Sequence, residues 1–357
     1  MPIKNNLNIE QDLKQYAQSL LLQKESIHLP VIPILKEGED IPLLYKALNG
    51  GLASRLSRGE LALPNFNDCE TVAIFTDYGG EAKDSKYLTY TITLVGYNQL
   101  TFFQDSMKEI REKYKLNDPV KEIAFKDLKY GPIKRSLDDY LTAANNFVNG
   151  IVFTLVVDKE IQSLAEINEK NSKKLVSKIL EDKGYGTFKP DVAEKIYRII
   201  HLISYLVHLL VPYGKKIFWM SDQDSTIATE EMHQKVAKLF HNAIHSFDNA
   251  KYDTVGYGKP FLKDEDTFFL DLLSISDLTA GAIEHYLTRK KKLASNDFTI
   301  SNGADKITKW IANHGLALKK LTYIIRYDDD KKAYDGGFLD FQLESPIQNA
   351  SYIDITL

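Results

Sequence analysis

Two neighbouring stretches decide the fold: "TVAIFTDYGG" at residues 71–80 and "KYLTYTITLVGY" at 86–97. In the first, Val72, Ala73, Ile74 and Phe75 form an unbroken apolar run, the pattern of a strand covered on both faces. The strand is expected to end on Asp77, before Gly79 and Gly80. In the second, Leu88, Tyr90, Ile92 and Leu94 alternate with Thr89, Thr91 and Thr93. That period of two predicts a half-exposed antiparallel neighbour, joined to the first strand through a glycine-rich turn.

Downstream, Phe103, Met107, Ile110 and Tyr114 step at helical spacing, as do Ile133, Leu137, Leu141, Ala144 and Val148. "GIVFTLVVD" (150–158) and "KKIFWMSD" (215–222) read as further strands ending in acids, with two helices between them over 160–211. Helices are expected over 226–246 and 268–287, and "GADKITKWIANHG" suggests another. "KLTYIIRYDDDKKAYDGGFLDFQLES" reads as a hairpin around an acidic, solvated turn that lacks the ligand spacing of an EF-hand. Strands interleaved with helices imply a mixed α/β sheet covered on both faces. The expected division is a helical and extended N-terminal extension (1–67), a core (68–291) and a C-terminal αββ appendage (292–357).

Composition narrows the function classes. The 357 residues carry 45 Lys plus Arg against 49 Asp plus Glu, a net charge of -4. That balance argues against broad nonspecific binding to nucleic acid but permits a local basic groove. A single cysteine, Cys69, excludes an intramolecular disulfide framework and a multi-cysteine zinc site, and it suits a reducing cytoplasm. The start, "MPIKNNLNIEQDLKQ", has no apolar region of secretory type. "IYRIIHLISYLVHLLVPYG" (196–214) is broken by Arg198, His201 and His208, so a buried core helix is expected rather than a membrane span.

Strand-end acids are the main functional signal. Ligands of open α/β sheets collect at strand carboxyl ends, and Asp77, Asp158 and Asp222 are all expected there. Metal-assisted hydrolysis of a phosphodiester uses Mg²⁺ or Mn²⁺, hard cations that demand several oxygen ligands from separate elements. Asp277, in "LLSISDLTAGAIEHY", is the best helical contribution. It shares a stripe with Leu273, Gly281 and Glu284, and the small Ala280, Gly281 and Ala282 allow close approach to a sheet.

These segments resemble an uncharacterised prokaryotic family with a predicted RNase H-like fold. Its members open with a strand ending Asp-Glu-Ser-Gly and close with a helix bearing Gln-Leu-Ala-Asp-Leu-x-Ala-Gly. "TDYGGE" (76–81), "KEIAFKDL" (121–128), "VVDKE" (156–160) and "SISDLTAGA" (274–282) are similar to its motifs over about residues 70–290. Tyr78 stands where the family carries Glu. The resemblance implies a divalent-metal-dependent nuclease with Asp77, Glu122, Asp222 and Asp277 as catalytic, metal-binding acids, assisted by Glu81 or Asp158.

Blander readings sit beside each residue. Asp77 suits a turn before two glycines, Asp222 and Asp224 suit a helix cap, and Glu122 suits a solvated surface. His241 and His245 share a helix face with His233 roughly in line, but no Glu follows His241 as a zincin needs. For a nucleic-acid partner the basic candidates are Lys134 and Arg135 in "KYGPIKR", and Arg289, Lys290 and Lys291 in "TRKKK". The competing expectation is a non-catalytic binding or scaffolding subunit that holds a protein partner through its N- or C-terminal appendage.

Overall fold

The computed structural model describes residues 43–118, 121–165, 172–221, 229–246, 251–258, 267–293, 301–328 and 333–341. Among the described residues, seven strands form one sheet in the order β5-β4-β1-β2-β3-β6-β7. They are β1 (Thr71–Gly79), β2 (Tyr87–Gly96), β3 (Gly150–Asp158), β4 (Lys216–Ser221), β5 (Thr254–Gly258), β6 (Leu318–Asp328) and β7 (Ala333–Phe338). Within the run β3-β2-β1-β4-β5, only β2 is antiparallel to the rest. That order and these directions are the ones expected of an RNase H-like core, within a mixed α/β fold with helices on both faces. The C-terminal strands continue the same sheet, with β6 parallel to β3 and β7 antiparallel to β6.

The strand and helix order follows the sequence periodicity in kind, yet three details depart from it. β1 runs two positions past Asp77, so this acid lies inside a paired strand, opposite Thr91. β2 is covered on both faces rather than half exposed. Its threonines tolerate burial because their hydroxyls are bonded: Thr89 to the Ala280 carbonyl, Thr91 to Thr154 and Thr93 to Ser276. β5, in "KYDTVGYG", is an edge strand that composition alone did not announce, its two glycines weakening the strand signal.

Each face of the sheet holds its own core. One side packs α1 (Leu43–Ser57), α4 (Ser172–Asp182), α5 (Pro190–Leu210) and α6 (Glu230–Ile244) against Val72, Ile74, Tyr90 and Ile92. The other packs α2 (Thr101–Tyr114), α3 (Gly131–Phe147), α7 (Phe268–Leu293) and α8 (Asn302–Ile311) against Ala73, Phe75 and Val95. α5 takes in the apolar segment from 196 as far as Leu210, and its Arg198 is buried against Glu194. No helix among the described residues is long and apolar enough to cross a membrane. α6 starts at Glu230, later than expected, and its N-cap is Thr229, whose hydroxyl accepts from the Met232 N–H. Residues 1–42 of the expected N-terminal extension and the turn acids Asp329 and Asp330 lie outside the described residues.

Candidate functional site

α7 crosses the sheet face that carries Asp77. Ser276 fixes the crossing point, donating to the Phe75 carbonyl at 3.0 Å and bonding the Thr93 hydroxyl at 2.8 Å. One turn on, the Ala280 carbonyl accepts from Thr89. A side chain at Gly79 would meet Thr89 Oγ1 at 2.5 Å and the Ala280 carbonyl at 3.4 Å, so the strand must be bare there. Gly80 takes φ +88, and an added Cβ would fall 1.9 Å from the Tyr87 carbonyl. The two glycines are therefore demanded by packing and by the turn at once.

Asp277, next to Ser276, hydrogen-bonds with the Asp77 carboxyl. Its Oδ2 also accepts the Phe125 N–H at 2.5 Å. Phe125 opens a 3-10 turn (Phe125–Asp127) laid over α7, and its ring occupies the space above Gly281, where a Cβ would approach it to 2.4 Å. Thus the small residue that the sequence assigned to a close helix–sheet approach makes room for a loop. The Asp277 carboxyl is pushed up to about 6, chiefly by burial and also by the negative charge of Glu122. The bond with Asp77, the Phe125 N–H and Lys126 act in the opposite direction.

Of the four expected acids, Asp77 from a strand and Glu122 from a loop both act on Asp277 of the helix. Asp222 lies outside the described residues; the last described pair between β1 and β4 is Thr76 with Ser221. The assisting acids are placed elsewhere. Glu81 is exposed and paired with Lys195 of α5, on the opposite side of β1. Asp158 lies across from Tyr87, whereas Asp77 is level with Thr91 and Thr154. Four residues at ~3.3 Å each put it about 13 Å farther along the strands. There it is buried and paired with Lys291 at 2.7 Å. Tyr78 points to the α5 side, bonding Thr76 at 2.8 Å and Ser221 at 3.3 Å beneath the Lys195 ammonium.

The basic candidates divide as well. Lys134 and Arg135 are exposed near the start of α3. Lys291 is engaged with Asp158 and Glu160, while Arg289 and Lys290 are exposed beside it. Two of the histidines have ordinary partners: His201 bonds the Tyr45 hydroxyl at 2.9 Å, and His233 stacks on Tyr257. Sequence reasoning missed the Phe125 N–H and Lys126. Their signal was proximity to Glu122 in "KEIAFKDL", where a loop N–H and a cation follow the acid within one turn.

Two carboxylates in hydrogen-bond contact must share a proton or a cation. The donors are all oxygen, which fits Mg²⁺ or Mn²⁺ rather than a softer metal. Among the described residues, no three acidic, histidine or cysteine side chains converge closely enough to hold an ion by themselves. The described chain therefore offers two adjoining oxygen donors with a third negative charge nearby.

No protein-family model matches the chain, and no curated protein matches it. The crystal structure of the ribonuclease H2 from Pyrococcus horikoshii OT3 is similar at a TM-score of 0.33 and 11% identity, covering 68% of this chain and 85% of that one. A superposition this loose equates no residue of one chain with a residue of the other.

Proposed function

We propose that the protein is a divalent-metal-dependent phosphodiesterase acting on nucleic acid, with Asp77 and Asp277 at its centre. The observation that carries this reading is the Asp77–Asp277 carboxyl contact, with Glu122 adding like charge. Such an arrangement is costly to a folded chain unless a positive partner enters it. When bound, a divalent ion supplies activation of water and stabilisation of the charge that develops on a phosphodiester. Asp77 and Asp277 would hold the ion, and the Phe125 N–H keeps the Asp277 carboxylate aimed at Asp77. Glu122 adds negative potential that favours a dication, and the sequence supplies Asp222 as a fourth acid.

The second reading is a non-catalytic RNase H-like scaffold. It is favoured by the lysine partners of Glu81 and Asp158, and by Tyr78 at the position of the family's Glu. Calorimetric titration with Mn²⁺ separates the two. Micromolar-to-millimolar binding is expected for the unaltered protein and its loss for Asp77→Asn and Asp277→Asn, with Mn²⁺-dependent cleavage of a labelled oligonucleotide lost in parallel. Equal binding by all three proteins, or none by the unaltered one, would hand the case to the scaffold.

A further inference from the structure

The segment that positions Asp277 also carries an excess of positive charge. Between Lys121 and Arg135 lie five cations and two acids, Glu122 and Asp127. Lys121 is paired with Asp127 at 2.7 Å. Lys126, Lys129, Lys134 and Arg135 are all exposed, and none makes an ion pair among the described residues. The first turn of α3, which leads into the last two, contains no acid. Nearby acids are already engaged: Asp138 with Lys306 and Asp139 with Lys113.

At the middle of this run stands Tyr130, 49% exposed, one of three large apolar side chains left so open among the described residues. The Lys121 ammonium lies 5.3 Å from its ring centroid. The segment is not a loose loop: its start is tied down by Arg111, which donates to the Lys121 carbonyl at 3.1 Å, and its end by the helix. Lys134 N–H bonds the Tyr130 carbonyl at 2.8 Å. Phe125, five positions before Tyr130, touches Asp277 directly.

We infer that residues 126–135 form a docking lip for single-stranded nucleic acid. Lys126, Lys129, Lys134 and Arg135 follow the phosphates, and Tyr130 stacks against one unpaired base. This rests on the phosphodiesterase reading and narrows its substrate class. A positively charged track interleaved with an aromatic is how strands without base pairing are gripped, since every unpaired base offers a face to stack on. A duplex hides those faces, so the ring discriminates between the two forms. Lys126 marks the join between lip and acids, because its charge acts on Asp277.

Binding is measured by fluorescence anisotropy of a labelled 12-mer in EDTA, so that grip is read without turnover. The single strand is expected to bind at least fivefold more tightly than a blunt duplex of the same length. Tyr130→Ala should weaken the single strand roughly tenfold and leave the duplex unchanged, while Tyr130→Phe retains affinity. Four phosphate contacts give a slope of log K against log salt of about -3, and Lys126→Ala with Lys129→Ala should reduce its size by about 1.4. Lys290→Ala, on α7, should change affinity less than twofold. Equal affinity for duplex and single strand, indifference to Tyr130→Ala, or an equal effect of Lys290→Ala would overturn the inference. Tight, Tyr130-dependent binding with no cleavage on adding Mn²⁺ would sustain it while removing the hydrolase reading.

Discussion

Asp271 and Asp277 lie on the same helix, on the same side of the sheet, and are satisfied in opposite ways. Asp271, in the first turn of α7, is gripped by the Arg111 guanidinium, whose Nε reaches Oδ1 at 3.0 Å and Oδ2 at 3.1 Å. Thr267 donates to its Oδ2 at 3.3 Å, and Tyr140 donates to its main-chain carbonyl at 2.7 Å. Asp277 meets a backbone N–H and a second acid. An acid matched by a buried cation is part of the framework; an acid matched by another acid holds a place for something positive. The same contrast extends to Glu81, just past β1, and Asp158, at the end of β3, each of which is matched by a lysine.

Removing the cation from the framework pair should have the largest effect. Arg111→Met leaves Asp271 buried without its partner, and a loss of about 3–5 kcal/mol is expected in urea unfolding. The guanidinium also holds the Leu116 and Lys121 carbonyls, so the segment bearing Glu122 loosens with it. A loss below about 1 kcal/mol would place Asp271 with Asp277 and dissolve the contrast.

The counterpart on the other acid carries the opposite sign. Asp277 has a folded pKa of about 6, against about 3.9 in the unfolded chain. Between those values the folded state binds more protons, so its contribution to stability falls as pH rises through that window. Asp277→Asn, which cannot ionise, should therefore stabilise the metal-free protein at pH 7.5 by on the order of 1–3 kcal/mol. The two stability curves should converge near pH 4, and saturating Mn²⁺ should erase or reverse the gain. An Asn variant less stable than its parent at pH 7.5 would make Asp277 a framework residue.

How far the sequence led can be judged on these same residues. The apolar run of β1 and the alternation of β2 gave the hairpin at the centre of the sheet, because period and burial are local properties of the chain. Asp77 and Asp277 were legible as well, since an acid beside small or apolar neighbours is conspicuous. What the sequence did not show was which acids would find lysines. Lys195 reaches Glu81 and Lys291 reaches Asp158 across long stretches of chain, and no local pattern marks either pairing. The burial of Thr89, Thr91 and Thr93 was hidden for the same reason: their partners lie on α7 and β3. Phe125 over Gly281 is likewise a contact between distant segments, visible in the sequence only as an unexplained glycine.

Gly281→Ala tests the loop's share in the contrast. The added Cβ would stand 2.4 Å from Phe125 Cγ and 2.9 Å from its Cβ, so the turn must move. Overpacking of this kind costs about 1–3 kcal/mol. The Phe125 N–H would also leave Asp277, and weaker Mn²⁺ binding than the parent's is expected by calorimetry. Unchanged binding would mean that the N–H does not aim the carboxylate.

The smallest effect is expected at Ser276, and it sharpens the comparison most finely. This hydroxyl donates to the Phe75 carbonyl and bonds Thr93, pinning α7 beside Asp77. Ser276→Ala should cost about 1 kcal/mol, since Thr93 is left buried short of a partner. Replacing both groups, Ser276→Ala with Thr93→Val, should recover most of that cost, because no buried hydroxyl then lacks its bond. If Ser276 only supports the fold, Mn²⁺ affinity returns with stability in the double variant. If it sets the register of Asp277 on Asp77, affinity stays low after stability is restored. The second outcome is expected, because the bond lies one residue from Asp277 while the packing beneath it is unchanged.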